Sequence, residues 1–204
     1  MLDTHFPRPP GDVGHPASWR VPVRYRVVQG ASPQRVVRER DPAVLQPFVE
    51  AGQALVAEGV TALTTSCGFL FAFQRPLQAA LPVPLWTSSL LLLPDLAMPG
   101  VLTVDEAALR ASALLPAELP VAGLAPGCHL QQVLLEDRPA LDAAQAEADA
   151  VAAARCLVAR HPHVQHLVLE CTNLPPYAEA IHRATGRPVH HLMDLVHRQL
   201  ARTS

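Results

Sequence analysis

Val60-Thr-Ala-Leu-Thr-Thr-Ser-Cys67 and Val164-Gln-His-Leu-Val-Leu-Glu-Cys171 share one pattern: Val, then Leu three positions on, then Cys four further. Each is an apolar run of strand length, followed by a small or hydroxylated residue, Gly68 or Thr172, that suits the opening of a helix. Pro82-Val83 and Pro188-Val189 follow the two cysteines at similar distances, and the cysteines lie about half the chain apart. These are the marks of a duplicated fold with two thiols facing each other. Such a pair suits removal of a proton from one face of a carbon and delivery of one to the other.

Outward from the two motifs, strand and helix signals alternate. The expected order begins with a short strand at Met1-Leu2, a Pro- and Gly-rich loop from Thr4 to Pro22, and a strand at Val23 to Val28. A helix follows, with Asp41 as N-cap, Pro42 behind it and Gly59 as its stop. Beyond Cys67 come a helix at Leu70 to Ala80, a strand at Val83 to Thr87, a short helix at Ser88 to Leu96, a strand at Val101 to Val104 and a helix opened by Asp105-Glu106. The second half continues with Val121 to Leu124, an unassigned segment around Cys128, and an Ala-rich helix from about Ala140 to Arg160. The strand ending at Glu170, a helix after Pro175-Pro176, a strand at Val189 to Leu192 and a terminal helix complete it. This order predicts an α/β fold of two similar lobes, with mostly parallel sheets flanked by helices, related by a pseudo-two-fold duplication. Residues 1–96 would form the first lobe and 97–193 the second, with the C-terminal helix, 194–204, packing back on the first. The active site is expected between the lobes, beyond the C-terminal ends of strands, where both cysteines stand.

Composition narrows the chemistry. The chain has 204 residues, half of them apolar, and a formal net charge of −2, so it buries a core and gives no reason to expect nucleic acid or an anionic membrane as partner. All 16 basic residues are Arg. Without Lys there is no Schiff-base residue for pyridoxal phosphate and no Walker-type phosphate loop. No apolar run reaches membrane-span length, since Pro94 and Asp95 stop the longest leucine stretch, and Met1-Leu-Asp-Thr-His-Phe-Pro7 lacks a secretory core. A cytoplasmic protein with free thiols rather than disulfides is expected.

At these residues the chain resembles the aspartate/glutamate racemase superfamily. Members carry an Asp-Ser or similar pair after the first strand, a motif of the type Cys-Asn-Thr and a second of the type Gly-Cys-Thr. Asp3-Thr4, Cys67-Gly68-Phe69 and Glu170-Cys171-Thr172-Asn173 occupy those places. The resemblance implies that Cys67 and Cys171 are the acid/base pair, with Asp3, Thr4, Ser66, Gly68, Phe69, Thr172 and Asn173 around the substrate. It implies a cofactor-independent racemase or epimerase, an isomerase acting on a small amino acid or related carboxylate, with no metal. A homodimer is an assembly left open. Two alternatives stand beside it: a maleate-isomerase-like or arylmalonate-decarboxylase-like enzyme of the same superfamily, and a non-catalytic binder of small acids.

Gly68 and Phe69 replace the Asn and Thr of that pattern, and Glu170 replaces its Gly. Strand alternation predicts that Glu170 and Cys171 face opposite sides. A thiol just before a helix is expected to have a pKa lowered toward 7. Cys128 and Cys156 read as packed small hydrophobes. His161, His163 and His166 read as a solvated loop at the end of the strand away from the site, and His190-His191 as core. Arg8 is a second candidate for a substrate carboxylate, in a loop otherwise read as a connector.

Overall fold

A computed structural model describes residues 1–203. The first sixty residues contain less regular structure than the sequence suggests. Val23 to Val28 is irregular rather than a strand, though Val28 N–H donates to the Met1 carbonyl at 2.9 Å and the Met1 ammonium to that of Arg26 at 2.6 Å. One π-helical stretch, Gln34–Glu39, stands where no helix was expected. Asp41 caps as read, its carboxylate accepting from Ala43 N–H at 2.9 Å. The short 3-10 turn Pro42–Val44 then leads into α1 (Leu45–Ala57).

From there the chain alternates. β1 (Leu63–Thr64) ends three residues before Cys67, which opens a 3-10 helix, Gly68–Phe73, running into α2 (Gln74–Ala80). β2 (Leu85–Trp86) and a 3-10 helix, Ser89–Asp95, follow, then β3 (Pro99–Thr103), α3 (Glu106–Ala111) and β4 (Val121–Gly123). The segment around Cys128 becomes α4 (His129–Leu135), followed by α5 (Ala143–Arg160) and β5 (His166–Leu169). A 3-10 turn at Pro175–Tyr177, α6 (Ala178–Thr185), β6 (Val189–His190) and α7 (Leu192–Thr203) complete the order.

All strand pairs are parallel. β1 and β2 make a two-stranded sheet, and β4-β3-β5-β6 a four-stranded one. The fold is therefore α/β with parallel sheets flanked by helices, in two lobes. Crossover helices cover the larger sheet closely because α5 presents Ala146, Ala150, Ala153, Ala154 and Leu157, one buried stripe of small residues at helical spacing. α7 lies against β2 and Ser89–Asp95, and its Leu192, Met193, Leu195 and Val196 share a separate small core with Val13 and Leu92. Among the described residues no helix is long and apolar enough to cross a membrane.

The smaller sheet is so short that side chains complete its hydrogen bonding. Gln74 Nε2 donates to the Leu85 carbonyl at 2.8 Å and its Oε1 accepts from Thr87 N–H at 2.9 Å. Gln78 accepts from Leu85 N–H at 2.8 Å and donates to Val83 O at 3.0 Å. Two glutamines thus stand in for a third strand along the free edge of β2. Gln74→Leu, which strands a carbonyl and an N–H at once, is expected to cost about 1–3 kcal/mol for each polar group left unpaired. Urea unfolding followed by circular dichroism measures the loss; an unchanged midpoint would contradict this account of the edge.

Candidate active site

The two cysteine motifs converge. Thr172 Oγ1 donates to the carbonyl of Ser66 at 2.7 Å, joining the residue after the second cysteine to the residue before the first. Ser89 Oγ, after β2, donates to the Leu169 carbonyl at 2.6 Å and ties the lobes a second time. Ser66 Oγ accepts from Leu2 N–H at 3.0 Å, which brings the N-terminal segment over the junction. Between these elements lies a narrow cleft. Cys67 and Cys171 both line it, with Ser66, Gly68, Phe69, Thr172 and Asn173 from the same motifs.

Of the residues expected at the site, only Asp3 and Thr4 are not among those lining the cleft. The Asp3 carboxylate accepts from Gly30 N–H at 2.9 Å, and Thr4 Oγ1 from Arg8 Nη2 at 2.9 Å. Each shapes the N-terminal segment instead. Arg8 is also held away from a free carboxylate, since its Nη1 pairs with Asp12 at 2.9 Å and its guanidinium lies 4.6 Å from the centre of the Phe6 ring. Asp12 was missed in the sequence. It is 1 % exposed, and its second oxygen accepts from Asn173 Nδ2 at 2.6 Å, fixing the side chain whose Oδ1 stands 3.7 Å from Cys171 Sγ. The loop read as a connector is thus an arm that sets Asn173. The other walls, Leu2, Phe6, Pro33, Val37, Val104, Leu134 and Leu135, are apolar and belong to segments with no motif to mark them.

Strand alternation fails at Glu170. β5 ends at Leu169, so Glu170 and Cys171 stand in the turn beyond it and both line the cleft. Glu170 is completely buried. Its Oε2 accepts from Thr103 Oγ1 at 2.7 Å, and its Oε1 has no partner. Burial pushes its pKa up to about 7, against the downward pull of the Thr103 hydrogen bond. Gly68 is the complement of that carboxyl: a Cβ at this position would lie 2.1 Å from the Glu170 carbonyl oxygen and 2.3 Å from Oε1. The Gly at 68 and the Glu at 170 are therefore one steric exchange, with a side chain from the second motif filling space beside the first.

The thiols are also unlike the expectation of lowered pKa values. Burial, and then the nearby Glu170 carboxyl, push Cys67 up to about 12, while N–H groups of Phe69 and Leu70 and the charge of Arg8 pull it the other way. Cys171 is raised well above the ordinary thiol range by burial, by Glu170, by Cys67 and by Asp12, with Asn173 N–H opposing. Burial in this cleft therefore favours the thiol over the thiolate form of both cysteines. The remaining cysteines stand elsewhere: Cys128 is half-buried before α4, whereas Cys156 is exposed on α5 and is not the packed hydrophobe expected. His161 and His163 occupy the turn before β5, and His166 Nδ1 meets His190 Nε2 at 3.0 Å. Among the described residues no three His, Cys, Asp or Glu side chains converge as a metal site.

No protein-family profile matches the chain. A dimethylsulfoniopropionate lyase of Durusdinium sp. clade D is 31% identical over 209 residues, covering 93% of this chain and 68% of that protein. The chain belongs to the dimethylsulfoniopropionate lyase family. Lyase 7 and lyase 3 of Emiliania huxleyi (strain CCMP1516) are 29% and 31% identical, each over 92% of this chain but only 61% and 54% of their own length. The chain thus spans between about half and two thirds of these relatives. Unliganded arylmalonate decarboxylase superposes with a TM-score of 0.56 at 18% identity, over 92% of this chain and 83% of that one. Glutamate racemase of Francisella tularensis subsp. tularensis SCHU S4, solved with D-glutamate, gives 0.51 at 15% identity, over 79% and 65%. These likenesses establish the aspartate/glutamate racemase superfamily fold. The expectation of a racemase or epimerase, and with it the isomerase class, is overturned by the lyase relatives.

The lyase-family cleft has one consequence for stability that can be measured without substrate. A carboxyl whose pKa rises from 4.5 to about 7 on folding favours the fold fully below pH 4.5 and loses that advantage as pH rises through 7. Glu170→Gln removes the titration, so relative to the wild type the variant gains up to about 3 kcal/mol near pH 8 and little near pH 5. Urea midpoints of both proteins across that range test it; a variant less stable at about pH 8 would show that Glu170 is held charged by partners.

Proposed function

We propose that this cleft performs β-elimination on dimethylsulfoniopropionate, releasing dimethyl sulfide and acrylate. The reading rests on one conjunction: two buried thiols share one cleft in a chain of the dimethylsulfoniopropionate lyase family. The substrate has a carbon beside its carboxylate, as the racemase-like geometry requires, and a sulfonium group on the next carbon. A thiolate takes the proton from the first carbon; the electron pair of that C–H bond becomes the C=C double bond, and the C–S bond breaks with its pair going to sulfur. The leaving group is a neutral sulfide and needs no proton. Elimination therefore asks for one base where racemisation asks for two.

Cys67 is the better supported base. N–H groups and the Arg8 charge favour its thiolate, while Asp12 adds a further opposing carboxylate at Cys171. The raised thiols define the price of starting the reaction, which a bound cation beside them lowers. The Ser66 hydroxyl, at the waist of the cleft, and the remaining N–H of the Asn173 side chain, held by Asp12, supply donors for the carboxylate end.

Purified protein incubated with dimethylsulfoniopropionate should yield dimethyl sulfide in the headspace and acrylate in equal amount by proton NMR. Cys67→Ala should lower turnover about 10²–10⁴-fold, the range of a lost general base. Failure to produce either product from a folded protein would overturn the reading, and a Cys67→Ala variant with wild-type turnover would move the base to Cys171.

A further inference from the structure

The elimination as written leaves one buried group of the cleft unused. Glu170 is fully buried with a free Oε1, and it lines the cleft beside both thiols. A carboxyl with a single hydrogen bond at such a depth works against stability, and an amide or an apolar side chain of similar size would fill the space at less cost. Its surroundings offer no compensating cation. Among the described residues no basic side chain lines the cleft, and Arg8, whose charge reaches Cys67, is bound to Asp12 and Thr4.

The nearby walls say what kind of cation could fill that role. Most are apolar, Leu2, Val37, Leu134 and Leu135 with the rings of Phe6 and Phe69, and the polar side chains Ser66, Thr172 and Asn173 come with the two cysteine motifs, so an ammonium would find few acceptors for its N–H groups. A sulfonium or quaternary ammonium has no N–H to satisfy. Such ions are bound by a nearby anion and by apolar or aromatic surfaces against their alkyl groups. We infer that Glu170 is the counter-ion of the substrate's sulfonium group, with Oε2 held by Thr103 and Oε1 turned to the positive sulfur. This assignment rests on the lyase reading above and adds to it the residue that selects a zwitterion over a plain carboxylate. Gly68 is part of the device, because a side chain there would occupy the place of Oε1.

The test compares two ligands of the same shape and opposite requirement. 3-(Trimethylammonio)propionate carries a fixed cation, and 4,4-dimethylpentanoate replaces its nitrogen by carbon. Calorimetric titration of the intact wild-type protein should show the cationic compound binding about tenfold or more tightly. In Glu170→Gln the preference should collapse to within about twofold, chiefly through weaker binding of the trimethylammonio compound, while the pentanoate, an anion with no cationic end, binds no more weakly than to the wild type. Circular dichroism and urea unfolding establish that the variant is folded; Glu170→Met, of similar volume, provides a second neutral side chain should Gln fail to fold. A wild-type protein that cleaves dimethylsulfoniopropionate without preferring the cationic analogue overturns the assignment of Glu170 alone. So does a folded Glu170→Gln that keeps the full preference. A protein that neither cleaves dimethylsulfoniopropionate nor binds either analogue overturns the lyase reading and this assignment with it.

Discussion

Parallel strands that stop short of the surface leave their last carbonyls without a ladder, and hydroxyl groups take them up. Thr172 donates to Ser66 O, Thr65 to Thr87 O at 2.7 Å, and Ser89 to Leu169 O. All three hydroxyl donors are buried, where an unpaired backbone group would cost on the order of 1–3 kcal/mol. The Thr172 to Ser66 bond matters most, because it links the neighbours of the two cysteines across the lobes. The thiols then have little freedom to separate without breaking a buried hydrogen bond.

That constraint explains why the outline of the site was legible from the sequence. Val60 to Cys67 and Val164 to Cys171 are periodic, apolar and end in a polar turn, so their strands and cysteines could be placed together from pattern alone. The strand cores proved shorter than the apolar runs, two residues in β1 and four in β5, because hydroxyl groups rather than further strand pairing close the ends. The position of Glu170 was lost for the same reason: alternation of side chains is a property of a paired strand, and the last paired residue is Leu169, with only the Glu170 N–H still bonded to the neighbouring strand at Leu102 O. Nothing local marks a residue one step past that point as inward or outward.

The N-terminal third was legible in composition but not in detail. A Pro- and Gly-rich stretch correctly signalled a loop, yet which of its charged residues mattered depended on long-range partners. Asp12 reaches Asn173, 161 positions away in sequence, while Asp3 caps Gly30 and Arg8 turns back on Asp12. Reaction class lay beyond reach for a different reason. Racemisation and elimination begin with the same act, removal of a proton beside a carboxylate, and differ in what stands on the next carbon. A pair of cysteines in a cleft carries at most the shared act; the groups that would hold the rest of a substrate decide the outcome.

Charge is where those outcomes separate in this cleft. Two thiols raised by burial and by a neighbouring carboxyl make a poor base for an anionic substrate, which would add a third source of negative potential. A zwitterion whose positive end meets Glu170 reverses the sign of that neighbour's influence, so the ligand that is to be deprotonated also eases formation of the thiolate. After elimination the cation is gone: dimethyl sulfide is neutral and acrylate is an anion facing a buried carboxylate with no partner. On the proposed elimination, binding would favour substrate over products by the loss of one ion pair in a low-dielectric site, and a carboxyl that recognised the substrate would disfavour retention of what the reaction leaves behind.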